Sequence, residues 1–138
     1  MTVSLLPRIR VVAAVIGHDG KYLITQRRPN AVLPLLWEFP GGRVEDGETA
    51  AAALEREILH RLGVSVDVSE CIGFESHTYE AYLLELYTYD CRIREGTLEP
   101  RAVHAFEWVR SDEFDSYEFT PADEASVAKL LGLRHNDP

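Results

Sequence analysis

This sequence is short of the features that mark exported, membrane-spanning and polyanion-coating proteins. Cysteine occurs twice in 138 residues, at Cys71 and Cys91, in apolar segments without CxxC spacing. Both are expected to be ordinary buried thiols rather than a disulfide or a metal site, which fits a reducing, cytoplasmic setting. Long apolar runs are missing. Met1 to Arg10 has no signal-like apolar stretch, and Val11 to Ile16 falls far below the length of a membrane span. The expectation is a protein with no export signal and no membrane partner. Positive charge is scarce as well: 14 Lys and Arg face 23 Asp and Glu, for a net charge of −9, with no basic run. Such a chain repels nucleic acid at long range, and its aromatic residues follow no RNA-recognition or basic-helix pattern. No nucleic-acid partner is therefore expected, and a small anionic ligand would need a local cationic site. Internal repeats are absent, and Ala50 to Ala53 is simply good helix-forming sequence.

What is present suits one compact core. The length fits a single domain, and 46% hydrophobic residues are enough to fill it; residues 1–133 are expected to form that domain and residues 134–138 a frayed tail. Arg8 to Ile16 is β-branched and apolar, Asp19-Gly20 predicts a turn, and Lys21 to Gln26 resumes as a hairpin partner. Residues 29–36, with two prolines, read as a loop. Trp37 to Phe39 is a short extended piece ended by Pro40-Gly41-Gly42, where a flexible loop is expected. Thr49 can cap a helix running to about Leu62 with Leu54, Ile58 and Leu62 as its core stripe, and Gly63 supplies a left-handed stop. Val64 to Phe74, Tyr79 to Ile93 and Ala105 to Val109 predict further strands, Ser111 a short turn or helix, and Ala122 to Leu131 a final helix. This order predicts an α+β sandwich with a mixed sheet and a central helix rather than a parallel βαβ fold.

The segment GGRVEDGETAAAALEREILHRLGV, residues 41–64, carries the chemical information. It resembles the Nudix box, a glycine, five residues, a glutamate, seven residues, then R-E-U-x-E-E-x-G-U with U aliphatic. Gly42, Glu48, Arg56, Glu57, Ile58, Gly63 and Val64 fall on the pattern in register. Ile24 to Arg28, Trp37 to Gly42 and Phe119 to Glu124 are similar to the MutT branch of the same family, so the resemblance spans most of the chain. It implies an α/β/α sandwich and a hydrolase of nucleoside di- or triphosphates or related X-linked diphosphates, working with magnesium or manganese. Such a reaction needs cations to neutralise phosphate oxygens and to orient water. Glutamates three and four apart on a helix build an oxygen-rich face for them.

The sequence departs from the family where the metal should sit. Glu57 matches the first glutamate of the acidic set, but the pair that should follow is His60-Arg61. A further glutamate, six residues before a late-strand tryptophan in MutT-type proteins, is replaced: counting back from Trp108 reaches Ala102. Unit charges about 4 Å apart interact by roughly 4 kcal/mol at an effective dielectric of about 20. Exchanging a carboxylate for Arg61 therefore opposes a divalent cation strongly, and metal use is expected to be weak or absent. Two readings of these cations stand side by side. In one they are a solvated last turn complementing the helix dipole, with Arg61 paired to Glu57; in the other Arg61 is a built-in cation in the vacated metal position, presenting donors to phosphates. A minor third makes His60 a soft-metal ligand.

By resemblance, Glu48 and Arg56 form an ion pair bracing loop against helix, and Glu57 is the intact base or metal ligand, with Gly41 and His60 completing a modified metal set. Arg27, Phe39, Asp123 and Arg61 are the expected substrate contacts. An aspartate at 123, where MutT has asparagine, reverses part of the donor and acceptor pattern toward an oxidised guanine. Three classes of function follow: a pyrophosphohydrolase with altered metal use, a nucleotide-binding domain without efficient turnover, and a protein-interaction scaffold. The partner is a nucleotide or a nucleoside diphosphate-linked small molecule, and the chain is expected to be a monomer or a homodimer.

Overall fold

The computed structural model describes residues 6–124 and residue 127. Its organising element is β1 (Arg8–His18), whose alternation feeds two separate cores. Val12, Ala14 and Ile16 point to one face, Ala13 and Val15 to the other, and all are buried. A strand buried on both faces reads as a continuous apolar run, which is what Val11 to Ile16 is.

Around β1 the sheet is mixed. β1 pairs antiparallel with β2 (Lys21–Gln26) and with β4 (Gly41–Arg43), and parallel with β6 (Leu83–Gly96). β2 also pairs with β3 (Trp37–Glu38) and β7 (Ala105–Val109), and β6 with β5 (Val64–Thr78). The seven strands run β3-β2-β1-β6-β5, with β4 on β1 and β7 on β2.

Helix α1 (Ala50–Leu62) covers the first face. Thr49 caps it by accepting from the Ala52 amide at 3.1 Å, and Gly63 closes it at φ 74 with its N–H on the Leu59 carbonyl. Leu54, Ile58 and Leu62, the predicted stripe, are fully buried beside Val12, Ala14 and Val64. Each such side chain contributes about 1.5–3 kcal/mol relative to exposure. The opposite face is closed by Phe114 from a 3-10 turn (Ser111–Ser116), by Phe119, and by Ala122 from a helical segment over residues 121–124. The result is the expected α+β arrangement, a mixed sheet with helical elements on both faces. The rest of the expected helix to Leu131, and the tail 134–138, lie outside the described residues.

Three local expectations are corrected. Gly41 to Arg43 is a strand, not a loop: Gly42 sits opposite Val12 and Gly41 opposite Ala13, so close that a Cβ on Gly41 would collide with the Val12 carbonyl. Tyr79 does not begin a strand. β5 and β6 stay paired to Thr78 and Leu83, and the chain reverses over Tyr79–Tyr82, closed by the Tyr79 amide donating to the Tyr82 carbonyl at 2.8 Å. Cys91 is buried as expected, but Cys71 is exposed, because it lies on edge strand β5 between two register shifts that break the in-out alternation. No helix among the described residues is long and apolar enough to cross a membrane.

Candidate active site

A cleft of about 200 Å³ opens on the second face of the sheet, floored by Val11, Ala13, Leu84 and Leu86. Its polar wall gathers three arginines, Arg27, Arg43 and Arg61, with Glu38 and Asp123. In a chain of net charge −9 this is the local cationic site that an anionic ligand requires.

The glycine-rich strand and α1 build one end. Glu48 accepts from the Arg56 guanidinium at 2.7 and 2.9 Å and from the Glu45 amide at 2.8 Å. The Arg56 hydrogen bonds hold the Glu48 carboxyl down to about 2. Arg56 also donates to the Arg43 carbonyl at 2.9 Å, tying helix to strand. Next along the helix, Glu57 is buried against Gly42, where a Cβ would strike its carboxylate. That carboxylate lies between two guanidinium groups, Arg61 Nε at 3.3 Å and Arg56 Nη1 at 3.6 Å.

A divalent cation does not fit these residues. Both oxygens of Glu57 face arginine, whose guanidinium has no lone pair to offer a metal and stays protonated. His60 is exposed on the last turn and does not line the cleft. Glu99 is held by Arg101 at 3.3 Å, and Glu107 is exposed on β7 opposite Ile24. Among the described residues no group of three His, Cys, Asp or Glu is placed to hold a metal ion. The loop before β7 cannot swing a carboxylate in without breaking contacts. Its Glu99, Arg101 and Ala102 amides donate to the Leu62 and Arg61 carbonyls at 2.9–3.1 Å, and Arg28 donates to the Arg101 carbonyl at 2.8 Å.

Arg27 and Asp123 shape the other end. Arg27 donates to Glu38 Oε1 at 3.2 Å and to the Val32 carbonyl at 2.6 Å, holding loop 29–36 where its Val32 and Leu33 line the cleft. Burial pushes the Glu38 carboxyl up, against the opposing pull of Arg27 and Arg61. Asp123 is buried, with Oδ2 accepting from the Thr120 hydroxyl at 2.9 Å. Phe39 lines the cleft and is also core, packed against Phe114 and Phe119. The cleft thus brings together Arg27, Phe39, Gly41, Arg61 and Asp123, with Glu57 behind Arg61, while Glu48 and Arg56 brace from outside and His60 stays apart.

Glu38, Arg43, Tyr79 and Tyr82 also line the cleft and were not singled out from sequence. Glu38 and Arg43 flank the glycines of the recognised segment, a signal that was available. The tyrosines had none, since their place depends on the turn between β5 and β6.

The comparisons with known proteins agree with this architecture. Residues 11–129 match the NUDIX domain family, and the chain belongs to it. It is 33% identical over 130 residues to the CTP pyrophosphohydrolase of Escherichia coli strain K12, covering 94% of this chain and 96% of that one. It is 31% identical over 134 residues to the 8-oxo-dGTP diphosphatase of Haemophilus influenzae, covering 93% and 95%. Among solved structures, the E. coli ORF135 protein superposes with a TM-score of 0.83 at 31% identity, over 100% of this chain and 99% of that one.

Proposed function

We propose that the chain is a nucleoside triphosphate pyrophosphohydrolase in which arginines take over much of the charge neutralisation that the family assigns to metal. The observation carrying this reading is Arg61 seated on Glu57 and lining the same cleft as Arg27 and Arg43. Charge-assisted hydrogen bonds from guanidinium to phosphate are short and about twice as strong as neutral ones. Phosphates enter against the three arginines, and the base lies toward Asp123. Water attacks the α-phosphorus, its proton passes to Glu38 in the cleft wall or to Glu57 behind Arg61, and the leaving pyrophosphate departs against guanidinium charge. Relatives named for CTP and for oxidised dGTP support a nucleoside triphosphate substrate.

One observation favours a second reading, nucleotide binding without turnover. Both carboxylate oxygens of Glu57 are engaged by Arg56 and Arg61, which leaves neither turned to a water in the cleft. Pyrophosphate release from CTP, dGTP and 8-oxo-dGTP separates the two, measured for wild type, Glu57→Gln and Glu38→Gln with magnesium, manganese or chelator. Slow release that chelator changes by only a few-fold, and that one of the carboxamide variants abolishes, is the expected result. Release that stops in chelator would overturn the arginine substitution. No release at all, with calorimetric binding of nucleotide, would establish the second reading.

A further inference from the structure

A second cavity, of about 570 Å³, lies between the start of β1 and the loop that leads into α1. Arg8 and Arg10 continue the alternation of Val12 and Ala14, so they leave β1 on the α1 side of the sheet, whereas the cleft is floored by Val11 and Ala13 on the other. Arg10 lies over the Tyr87 ring at 5.7 Å, and Phe74 packs against that ring at 4.8 Å. Stacking occupies the flat face of the guanidinium and leaves its N–H edges for an anion. Arg8 meets Glu85 at 3.8 Å with 71% of its side chain exposed, a pair that water screens. Arg43, on β4 opposite Val11, lines both this groove and the cleft. Among the described residues neither Arg10 nor Arg43 forms an ion pair. The acidic loop does not supply the missing charge: Glu45 and Glu48 are drawn to Arg56, at 3.4 and 2.7 Å, which leaves the exposed Asp46. The groove is held in shape by the Val44 amide donating to the Arg10 carbonyl at 3.0 Å and the Glu45 amide donating to Glu48 at 2.8 Å.

We propose that this outer groove binds free pyrophosphate and that the anion draws Arg43 away from the cleft. Arg8 and Arg10 stand two positions apart on one face of a strand, roughly 7 Å along it, so their guanidinium groups repel each other unless an anion sits between them. Pyrophosphate carries terminal oxygens on two phosphorus atoms, which lets Arg10 and either Arg8 or Arg43 donate to it at once. The sheet separates the groove from the cleft, so a nucleotide seated in the cleft does not occupy both, whereas its leaving group, once free, can. Arg43 has one guanidinium group and two cavities to serve. With pyrophosphate in the groove it turns outward, the cleft loses one of its three arginines, and the nucleotide is held less firmly. Product and substrate then antagonise each other through a single side chain. The anion site stands on the groove alone, while its regulatory effect rests on the hydrolase reading of the cleft.

Inorganic pyrophosphate itself is the probe, added to the full chain in the presence of chelator. The side-chain Nε–H signals of Arg8, Arg10 and Arg43, each assigned by its loss in the glutamine variant, should shift saturably with it. Arg10→Gln should weaken pyrophosphate binding in calorimetry roughly tenfold, the loss of one charge-assisted contact. Asp46→Asn should strengthen it. Arg92→Gln, which removes the same charge from an exposed position of β6 outside the groove, should change it by less than about twofold, because salt screens so distant a charge. Pyrophosphate should also lower the affinity for an α,β-methylene analogue of CTP in wild type, and far less in Arg10→Gln. Signals that move at Arg27 and Arg61 but not at Arg10 would put pyrophosphate in the cleft and overturn the groove, and shifts that grow without saturating would reduce it to counterion screening. Analogue affinity that Arg10→Gln lowers with no pyrophosphate present would assign the groove to the substrate and overturn the proposal equally. Arg10 signals that saturate while no nucleotide is turned over would uphold the anion site and strike the hydrolase reading, together with the regulation built on it.

Discussion

Residues that look interchangeable in the sequence carry separate duties once their neighbours are known. Gly41 and Gly42 are adjacent, yet a Cβ on the first meets the backbone carbonyl of Val12 and a Cβ on the second meets the movable carboxylate of Glu57. Backbone in the middle of a sheet cannot give way, whereas a side chain can change rotamer. Gly41→Ala is therefore expected to cost about 1–3 kcal/mol or more in denaturant unfolding. Gly42→Ala should cost less stability but displace Glu57, impairing pyrophosphate release more than it lowers the melting temperature. Equal losses of stability in the two variants would contradict this division. His60 and Arg61 part company in the same way. His60 is an exposed residue of the last turn, while Arg61 both pairs with Glu57 and lines the cleft.

At the scale of elements, α1 and the loop leading into it are joined by the Glu48–Arg56 pair, which adds acid sensitivity to the assembly. Arg56 holds the Glu48 carboxyl at about 2, below its ordinary 4.5, so the folded form binds its proton less readily than the unfolded chain. The pair's contribution is present above about pH 4.5 and is lost as pH falls toward about 2. Glu48→Gln should lower the melting temperature near neutral pH, and the gap to wild type should close in strong acid; a gap independent of pH would exclude this origin. The helix start makes a simpler prediction, since Thr49 satisfies the Ala52 amide. Thr49→Ala should cost about 1 kcal/mol in chemical denaturation, and no measurable cost would deny the cap a role. Helix α1 was legible in the sequence to within a residue because its cap, stripe and stop are local. The ends of β5 and β6 were not, because a long hairpin with bulges is ended by pairing across the chain rather than by its own residues.

Across the whole molecule, the two departures from the family pattern prove to be one place. The Ala102 amide donates to the Arg61 carbonyl at 3.1 Å, so the positions that lost their carboxylates lie side by side although far apart in the chain. His60→Glu, Arg61→Glu and Ala102→Glu together should gather an oxygen-rich face around Glu57. Magnesium affinity by calorimetry is expected to rise about tenfold or more, the equivalent of roughly 1.4 kcal/mol. No gain would mean that the surrounding cleft also opposes metal. The sequence by itself determined the fold class, α1 and the reciprocal pairs around it, because helix periodicity places Arg56, Glu57 and Arg61 on neighbouring turns whatever surrounds them. It also located the departure from the family's metal set. Only the tertiary structure decided which loop docks on the end of α1, that Glu38 and Arg27 meet Asp123, and that Asp123 is enclosed away from water. A carboxyl's charge is set by its burial and neighbours, and these come from segments that the local sequence does not bring together.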